Sequence, residues 1–330
     1  MKRLFSILAA ALTIVGLASC SGSGKTLLPN VSGKAGEVIV VIERNDWEGS
    51  LGNEVRDLLA CDCPWLYIRE PLYSLANVTP AGFADLFKYH RNIVIFQIDP
   101  QIVNPGVLVK NDVWAAPQCV IQISAHDSDE AVSILKEKGT TVVSAIEQAE
   151  RDRVINNTLL YEEHPIRQQV TEIFGGSPHF PSGYKLRMSN DHFAWIADVK
   201  QYTTQGVFVY KYPALKEDNF TLENIIAKRN EMLQENVPGM FENTYMTTAE
   251  YITPTVEFVK YKGREFAQTR GYWEVHNDYM GGPFVSHSFY SPDGSEIIVV
   301  EAFVYAPRYD KRQYLRQVES LLYSFEWKQN

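Results

Sequence analysis

The chain is poor in basic charge, poor in cysteine and poor in long apolar runs. Its 31 Lys and Arg stand against 40 Asp and Glu, a formal charge of -9. A nucleic-acid backbone calls for concentrated Lys and Arg, so this balance argues against nucleic acid as a partner. It also leaves no polybasic patch for an anionic lipid surface. There are 4 cysteines, and no Cys-x-x-Cys spacing among them speaks for zinc. Active-site motifs are missing as well: GxSxG, HExxH and a Cys/His nucleophile signature are all absent. Beyond residue 20 no stretch stays apolar long enough to span a bilayer as a helix. Aromatic residues are plentiful, with 18 Tyr and 16 Phe. They can fill a sheet-rich core or line a binding face, and composition does not separate the two.

The one apolar run stands at the start, MKRLFSILAAALTIVGLASC. Lys2 and Arg3 precede an uncharged stretch from Leu4 to Leu17, and small residues close it. This is the pattern of a secretory signal peptide, with an apolar core shorter than a membrane span needs. The ending Leu17-Ala18-Ser19-Cys20 resembles the lipobox of bacterial lipoproteins. That resemblance implies cleavage after Ser19 and a lipid, palmitate included, on Cys20. The lipid would tether the protein to a membrane with its bulk in water. Ser21, not aspartate, follows the cysteine, a pattern similar to outer-membrane sorting in the bacterial cell envelope. Gly22-Ser23-Gly24-Lys25-Thr26 imitates the end of a phosphate-binding loop. It has Ser19 where the first glycine belongs and no strand before it.

With Cys20 committed to lipid, Cys61, Cys63 and Cys119 remain in a compartment that permits disulfides. Cys61 and Cys63 are too close for an unstrained bond with each other. Two readings stay open: a disulfide from Cys61 or Cys63 to Cys119, or three free thiols.

Punctuation divides the chain into a signal peptide at 1–19, a Gly/Ser-rich tether at 20–35, and folded halves at 36–175 and 184–330. The break is Gly175 to Gly183, with three glycines and two prolines in nine residues. In the first half, strands are expected over Glu37–Ile42, Trp65–Ile68, Asn92–Ile98 and Cys119–Ile123. A helix follows Ser50, carrying Leu51, Val55 and Leu58, and another starts at Thr79-Pro80. From Asp127 the pattern gives a helix through Leu135 and then a second one over 141–161. Glu162 and Glu163 read as a solvated helix face. The second half reads as strands at 184–188, 193–198, 206–212, 244–248, 256–261, 265–275, 284–290 and 296–305. Helices at about 222–236 and 310–325 complete it, with Arg229 at the edge of an apolar stripe. The fold class is α+β: mixed or antiparallel sheets with helices packed on one face, with two ferredoxin-like halves as one version. Similar Ile/Val runs, EVIVVIE and EIIVVEA, raise an internal duplication as an alternative to coincidence.

The densest polar-aromatic segment is Arg270 to Phe284, RGYWEVHNDYMGGPF. Strand alternation places Arg270, Tyr272, Glu274 and His276 on one face and Trp273 with Val275 on the other. Arg270 and His276 beside aromatics can bind an anionic group or a sugar, with Asp278 nearby and Gly281-Gly282 allowing close approach of a ligand. A polar sheet face ending in a tight turn explains the same residues without a ligand. His276 and His287 are expected to face each other across the hairpin, and Glu257 and Glu265 to meet across Lys262-Gly263. No spacing matches a metal motif. No cofactor and no metal are expected.

The lipobox, GEVIVVI, GYWEVHNDYMGGPF and SEIIVVEAFVYAP together resemble a family of uncharacterised lipoproteins from Bacteroidetes. The resemblance implies an exported lipoprotein and supplies no catalytic residue. The expectation is a lipid-anchored envelope protein, more in keeping with a binder than an enzyme, that takes a partner protein or a small envelope ligand. The alternatives are an enzyme acting on envelope glycan or peptide, and a structural component of an outer-membrane complex.

Overall fold

A computed structural model describes residues 27–64 and 66–328. The signal peptide, Cys20 and the start of the tether lie outside the described residues. In chain order the first elements are β1 (Glu37–Val41), α1 (Arg44–Glu48), α2 (Ser50–Leu59), β2 (Ser74–Val78) and α3 (Asp85–Lys88). Next come β3 (Asn92–Ile98), β4 (Gly106–Asn111), β5 (Cys119–Ala125) and α4 (Ser128–Leu160). They build a five-stranded sheet in the order β2-β1-β3-β5-β4. Its first four strands are parallel, and β4 joins antiparallel at the edge. One face meets α2 and α4 through Val38, Val40, Leu51, Val55, Leu135 and Val142. The other is smaller and is covered by Phe83, Phe87 and Trp114.

The remaining elements are α5 (His164–Phe174), β6 (Gly176–Ser177), β7 (Lys185–Ser189), β8 (Phe193–Lys200), β9 (Thr203–Pro213) and α6 (Leu222–Asn236). They are followed by β10 (Met246–Thr248), β11 (Thr255–Tyr261), β12 (Arg264–Val275), β13 (Gly281–Tyr290), β14 (Glu296–Tyr305), α7 (Arg312–Leu322) and β15 (Glu326–Trp327). An eight-stranded antiparallel sheet runs β10-β12-β13-β14-β9-β8-β7, with β11 also paired to β12. One face buries Val285, Val300, Leu315 and Val318 under α5 and α7. The opposite face buries Phe208, Trp273, Phe284 and Leu233 under α6. The fold is therefore α+β, with one mostly parallel sheet, one large antiparallel sheet and a two-stranded antiparallel pair of β6 and β15. β1 has parallel neighbours and β14 antiparallel ones, so the shared Ile/Val runs sit in differently built layers.

Several elements differ from the sequence reading. The two helices expected after Asp127 are one, α4, of 33 residues. Gly139-Thr140-Thr141 reads as a break because these residues are weak helix formers. Gly139 is there for packing: a Cβ would lie 2.8 Å from Leu58 Cδ1 on α2. At 1.5 Å per residue α4 is about 50 Å long. Its first half packs on the parallel sheet, while Ile155 near its end belongs to the antiparallel core. The expected break at 175–183 falls inside that second core, since Ile166, Val170 and Phe174 of α5 precede it and Phe180 lies within it. No strand forms at 66–68, and β2 comes later, at Ser74. The disulfide is not formed: Cys61, Cys63 and Cys119 are all free. Cys119 is buried on β5, with its thiol 3.8 Å from Ala145 O of α4, whereas Cys61 is exposed beyond α2.

Charged residues join the two sheets. Glu147 of α4 accepts from Tyr73 Oη at 2.6 Å and from Arg316 of α7 at 2.7 Å. Glu70 accepts from the backbone N–H groups of Lys311 and Arg312, at 2.7 and 2.8 Å. A carboxylate there stabilises the positive end of the α7 dipole and satisfies donors the helix leaves unpaired. Glu150, almost wholly buried, gathers Arg91 at 2.7 Å and the Asn92 side chain at 2.7 Å.

Candidate functional site

Alternation along β12 holds from Arg270 to Val275. Trp273 faces the α6 core, its indole N–H donating to Val304 O at 3.2 Å. Arg270, Tyr272 and Glu274 take the other face, and there the expected grouping divides. Arg270 turns toward α7 and forms a two-pronged ion pair with Glu319. Burial pushes its pKa down, but Glu319 outweighs burial and raises the pKa on balance. Its charge is already matched inside the protein. Arg270 therefore acts first as a strut between β12 and α7. It lines a cleft of about 600 Å³ between α4, α7 and the β11–β12 hairpin, with Arg151, Glu147 and Arg316 on the walls. Arg151 stacks on Tyr323, 3.7 Å from the ring centre.

Tyr272, Glu274 and Asp278 gather elsewhere, in a shallow pocket of about 390 Å³ shared with Tyr251, Tyr305 and Lys311. Tyr67, Tyr251 and Tyr272 form a triangle of rings with centroids 5.8 to 6.5 Å apart. Burial pushes the Tyr272 hydroxyl up to about 12, with Tyr251 and Tyr67 adding to it. Tyr67 and Tyr251 are mostly exposed and Tyr279 is fully so. Asp278 Oδ1 accepts from the Tyr279 N–H at 2.6 Å, which fixes the tip of the β12–β13 turn. The cluster is thus a tyrosine-rich face with carboxylates set among the rings.

His276 joins neither pocket. β12 ends at Val275 and the chain turns, with Asn277 at a positive φ of 62°. That takes His276 off the shared face and stacks it on Tyr245 with ring centres 4.9 Å apart. His287 does not oppose it. Its cross-strand partner is Gln268, and its ring is stacked 4.0 Å from Phe266. Burial, reinforced by Arg264, Arg270 and Arg151, pushes the His287 pKa well below the ordinary histidine range, so the ring stays neutral. Glu265 pairs with Lys260 at 2.9 Å and sits opposite it in register; Glu257 faces Gln268. Among the described residues no group of three or more His, Cys, Asp or Glu is placed to hold a metal ion.

Two polar centres carry no signal in the sequence. Arg229 lies at the core of α6 packing, fully buried and bonded to Glu301 of β14, not at the edge of a stripe. Glu162 is also buried, accepting from His179 Nδ1 at 2.7 Å and lying 3.0 Å from His164 Nδ1. In each case the partner lies far along the chain or across a loop, beyond the reach of local periodicity.

Residues 163–324 match a family model described as a domain of unknown function (DUF4837), and residues 31–159 match a second, also a domain of unknown function (DUF8532). The two matches meet between α4 and α5. No curated protein matches the chain. Among solved structures it is similar to the Saccharomyces cerevisiae Ran-binding protein Mog1p at 11% identity and a TM-score of 0.31. That match covers 46% of this chain and 90% of the other. A Bacteroides thetaiotaomicron protein matches at 11% identity and a TM-score of 0.26, covering 47% of this chain and 45% of the other.

Proposed function

We propose that the protein is a lipid-anchored component of the bacterial cell envelope, related to the uncharacterised Bacteroidetes lipoproteins it resembles, that binds a partner protein through its tyrosine face. The lipobox ending at Cys20 supports the anchor and, with Ser21, an outer-membrane location. No helix among the described residues is long and apolar enough to cross a membrane, and a lipid on Cys20 would supply attachment without one. The observation that carries the binding role is the group Tyr67, Tyr251, Tyr272 and Tyr279 around Glu274 and Asp278. Tyrosine offers large contact area at low conformational cost and is enriched where proteins dock. The carboxylates favour a partner surface rich in basic groups or N–H donors.

A photo-crosslinking residue at Tyr279 in intact cells tests this, with the same residue at exposed Phe258 as control. One envelope protein captured from position 279 and not from 258 is the expected result. Equal capture from both positions, or none, refutes the docking role. Labelling with a palmitate analogue tests the anchor: label retained by Cys20→Ser overturns it.

A further inference from the structure

A cavity of about 690 Å³ lies apart from the tyrosine face. The end of α4 forms one wall with Ile155 and Leu159, and the residues after α7 form another with Trp327. At its base is Arg264, the first residue of β12. Its two terminal nitrogens donate to Phe325 O at 2.8 Å and Leu322 O at 3.1 Å, and its Nε is buried without a partner. Among the described residues no carboxylate lies within ion-pair distance of it. The guanidinium rests instead near the faces of Phe266, Phe289 and Phe325, 5.0 to 5.5 Å from the ring centres. Burial pulls its pKa down to about 10. A partly buried cation without a counter-ion is costly, and an incoming anion would relieve that cost.

His179 also lines this cavity and is more than nine-tenths buried. Glu162 holds its Nδ1, leaving Nε2 without a hydrogen-bond partner. Lys262 adds a second cation at the mouth. The two carboxylates in the lining have partners of their own. Asp152 accepts from Gln148 Nε2 at 2.8 Å, and Glu326, 3.3 Å from His179 Nε2, is held by Arg167 at 3.0 Å.

We infer that this cavity binds a small organic anion, its carboxylate or phosphate head at Arg264 and Lys262 and its apolar body against Ile155, Leu159 and Trp327. The volume suits a ligand of that size, and apolar walls with a few convergent polar groups are the usual make-up of small-molecule sites. The assignment does not depend on the proposed protein partner.

The test is a saturation-transfer NMR titration of the mature lipoprotein in nanodiscs, with empty nanodiscs subtracted. Benzoate and phenyl phosphate serve as probes, with benzamide as the uncharged control and inorganic phosphate as a competitor. Saturable binding of benzoate or phenyl phosphate, with benzamide weaker and inorganic phosphate a poor competitor, is expected, and the tighter of the two organic probes identifies the head group. Arg264→Gln, which removes charge-assisted hydrogen bonds, is expected to weaken it about tenfold or more. Lys262→Gln, on the exposed turn, is expected to weaken it by about threefold, in line with an exposed charge pair. Benzamide binding as well as benzoate overturns the proposal, as does no saturable binding of either organic anion. A folded Arg264→Gln with unchanged affinity does the same; if that variant fails to fold, unchanged affinity in Lys262→Gln decides against it.

Discussion

The Arg229–Glu301 pair gives the sharpest test of how the antiparallel sheet is held to α6. Both side chains have zero exposure. Arg229 Nε donates to Glu301 Oε2 at 2.9 Å, and Nη2 to Oε1 at 2.7 Å. Nη1 donates to Thr248 Oγ1 at 2.7 Å, and the guanidinium lies 3.7 Å from the centre of the Phe284 ring. Among the described residues Glu301 has no other cation. Ser286 lies beside it on β13 and Thr269 beside Ser286 on β12, and neither hydroxyl has a partner. Arg229→Met therefore leaves a buried carboxylate uncompensated, and the expected loss is about 3–5 kcal/mol. That is a large fraction of the roughly 5–15 kcal/mol that holds a typical domain folded. The double variant Arg229→Met with Glu301→Met removes both charges, and its stability is expected within about 1 kcal/mol of wild type or above it. Urea unfolding of the wild type, Arg229→Met, Glu301→Met and the double variant, followed by far-UV dichroism and tryptophan fluorescence, gives the four stabilities and the coupling between the sites. The effect also depends on pH. Burial holds the Glu301 carboxyl above its ordinary range, with Arg229 offsetting part of that rise. A raised folded-state pKa contributes its stability below the unfolded value, about 4.3, and loses it as pH rises through the folded value. Without Arg229 the carboxyl rises further, so the deficit of the single variant is small near about pH 4 and grows toward about pH 8. A single variant that costs under about 1 kcal/mol, or a double variant as unstable as the sum of the singles, refutes this account.

Glu147 has the opposite sign. Although burial raises its pKa, Arg316 and Tyr73 outweigh that and hold it lowered, so its contribution is present above the unfolded value and lost as pH falls through the folded one. Glu147→Gln should therefore flatten the acid limb of the stability profile; an unchanged limb counts against the bridge between the sheets. The three thiols should react with a disulfide reagent in the order Cys61 fastest, then Cys63, then Cys119. Burial raises Cys63 and Cys119 to about 11 each, and Cys61 is the exposed one. Fewer than three of them titrating in denaturant without reductant would restore the disulfide. Gly282→Ala should cost about 1–3 kcal/mol, because its Cβ would lie 1.9 Å from Val304 O, the acceptor of the Trp273 indole N–H. A thermal melt at the wild-type temperature would show that β13 can shift to accept it.

Elements whose partners are near in sequence were legible. The helix at Leu222–Asn236 follows from its Thr221 cap, whose hydroxyl accepts from Asn224 N–H, and from the spacing of Ile225, Met232 and Leu233. The hairpin of β13 and β14 follows from Pro292-Asp293-Gly294, where Asp293 gathers the Ser291 and Ser295 hydroxyls. Alternation in β12 placed Trp273 inward for the same reason. Failures came where distant packing overrode local preference. Gly139 looked like a helix end because the sequence does not display Leu58 crossing it. Arg229 looked like a residue reaching to the surface because Glu301 lies 72 positions away.

The same distinction governs the candidate site. A shared strand face makes Arg270, Tyr272 and Glu274 neighbours, but it does not determine what else reaches that face. Glu319 arrives from α7 and satisfies Arg270, which turns an apparent ligand-binding arginine into a strut. Tyr67 arrives from the loop before β2 and Tyr251 from the segment before β11, and they turn Tyr272 into the centre of an exposed aromatic cluster. The informative property of a charged residue here is whether its charge is matched inside the fold. By that measure Arg270, Arg229 and Arg316 are spent on structure, and Arg264, which no motif marked, retains an unmatched charge facing a cavity. Arg270→Ala should therefore lower stability, whereas an exposed change such as Tyr279→Ala should leave it within about 0.5 kcal/mol of wild type. If Arg270→Ala abolished partner capture while leaving the unfolding curve unchanged, the division between matched and unmatched charges would be wrong.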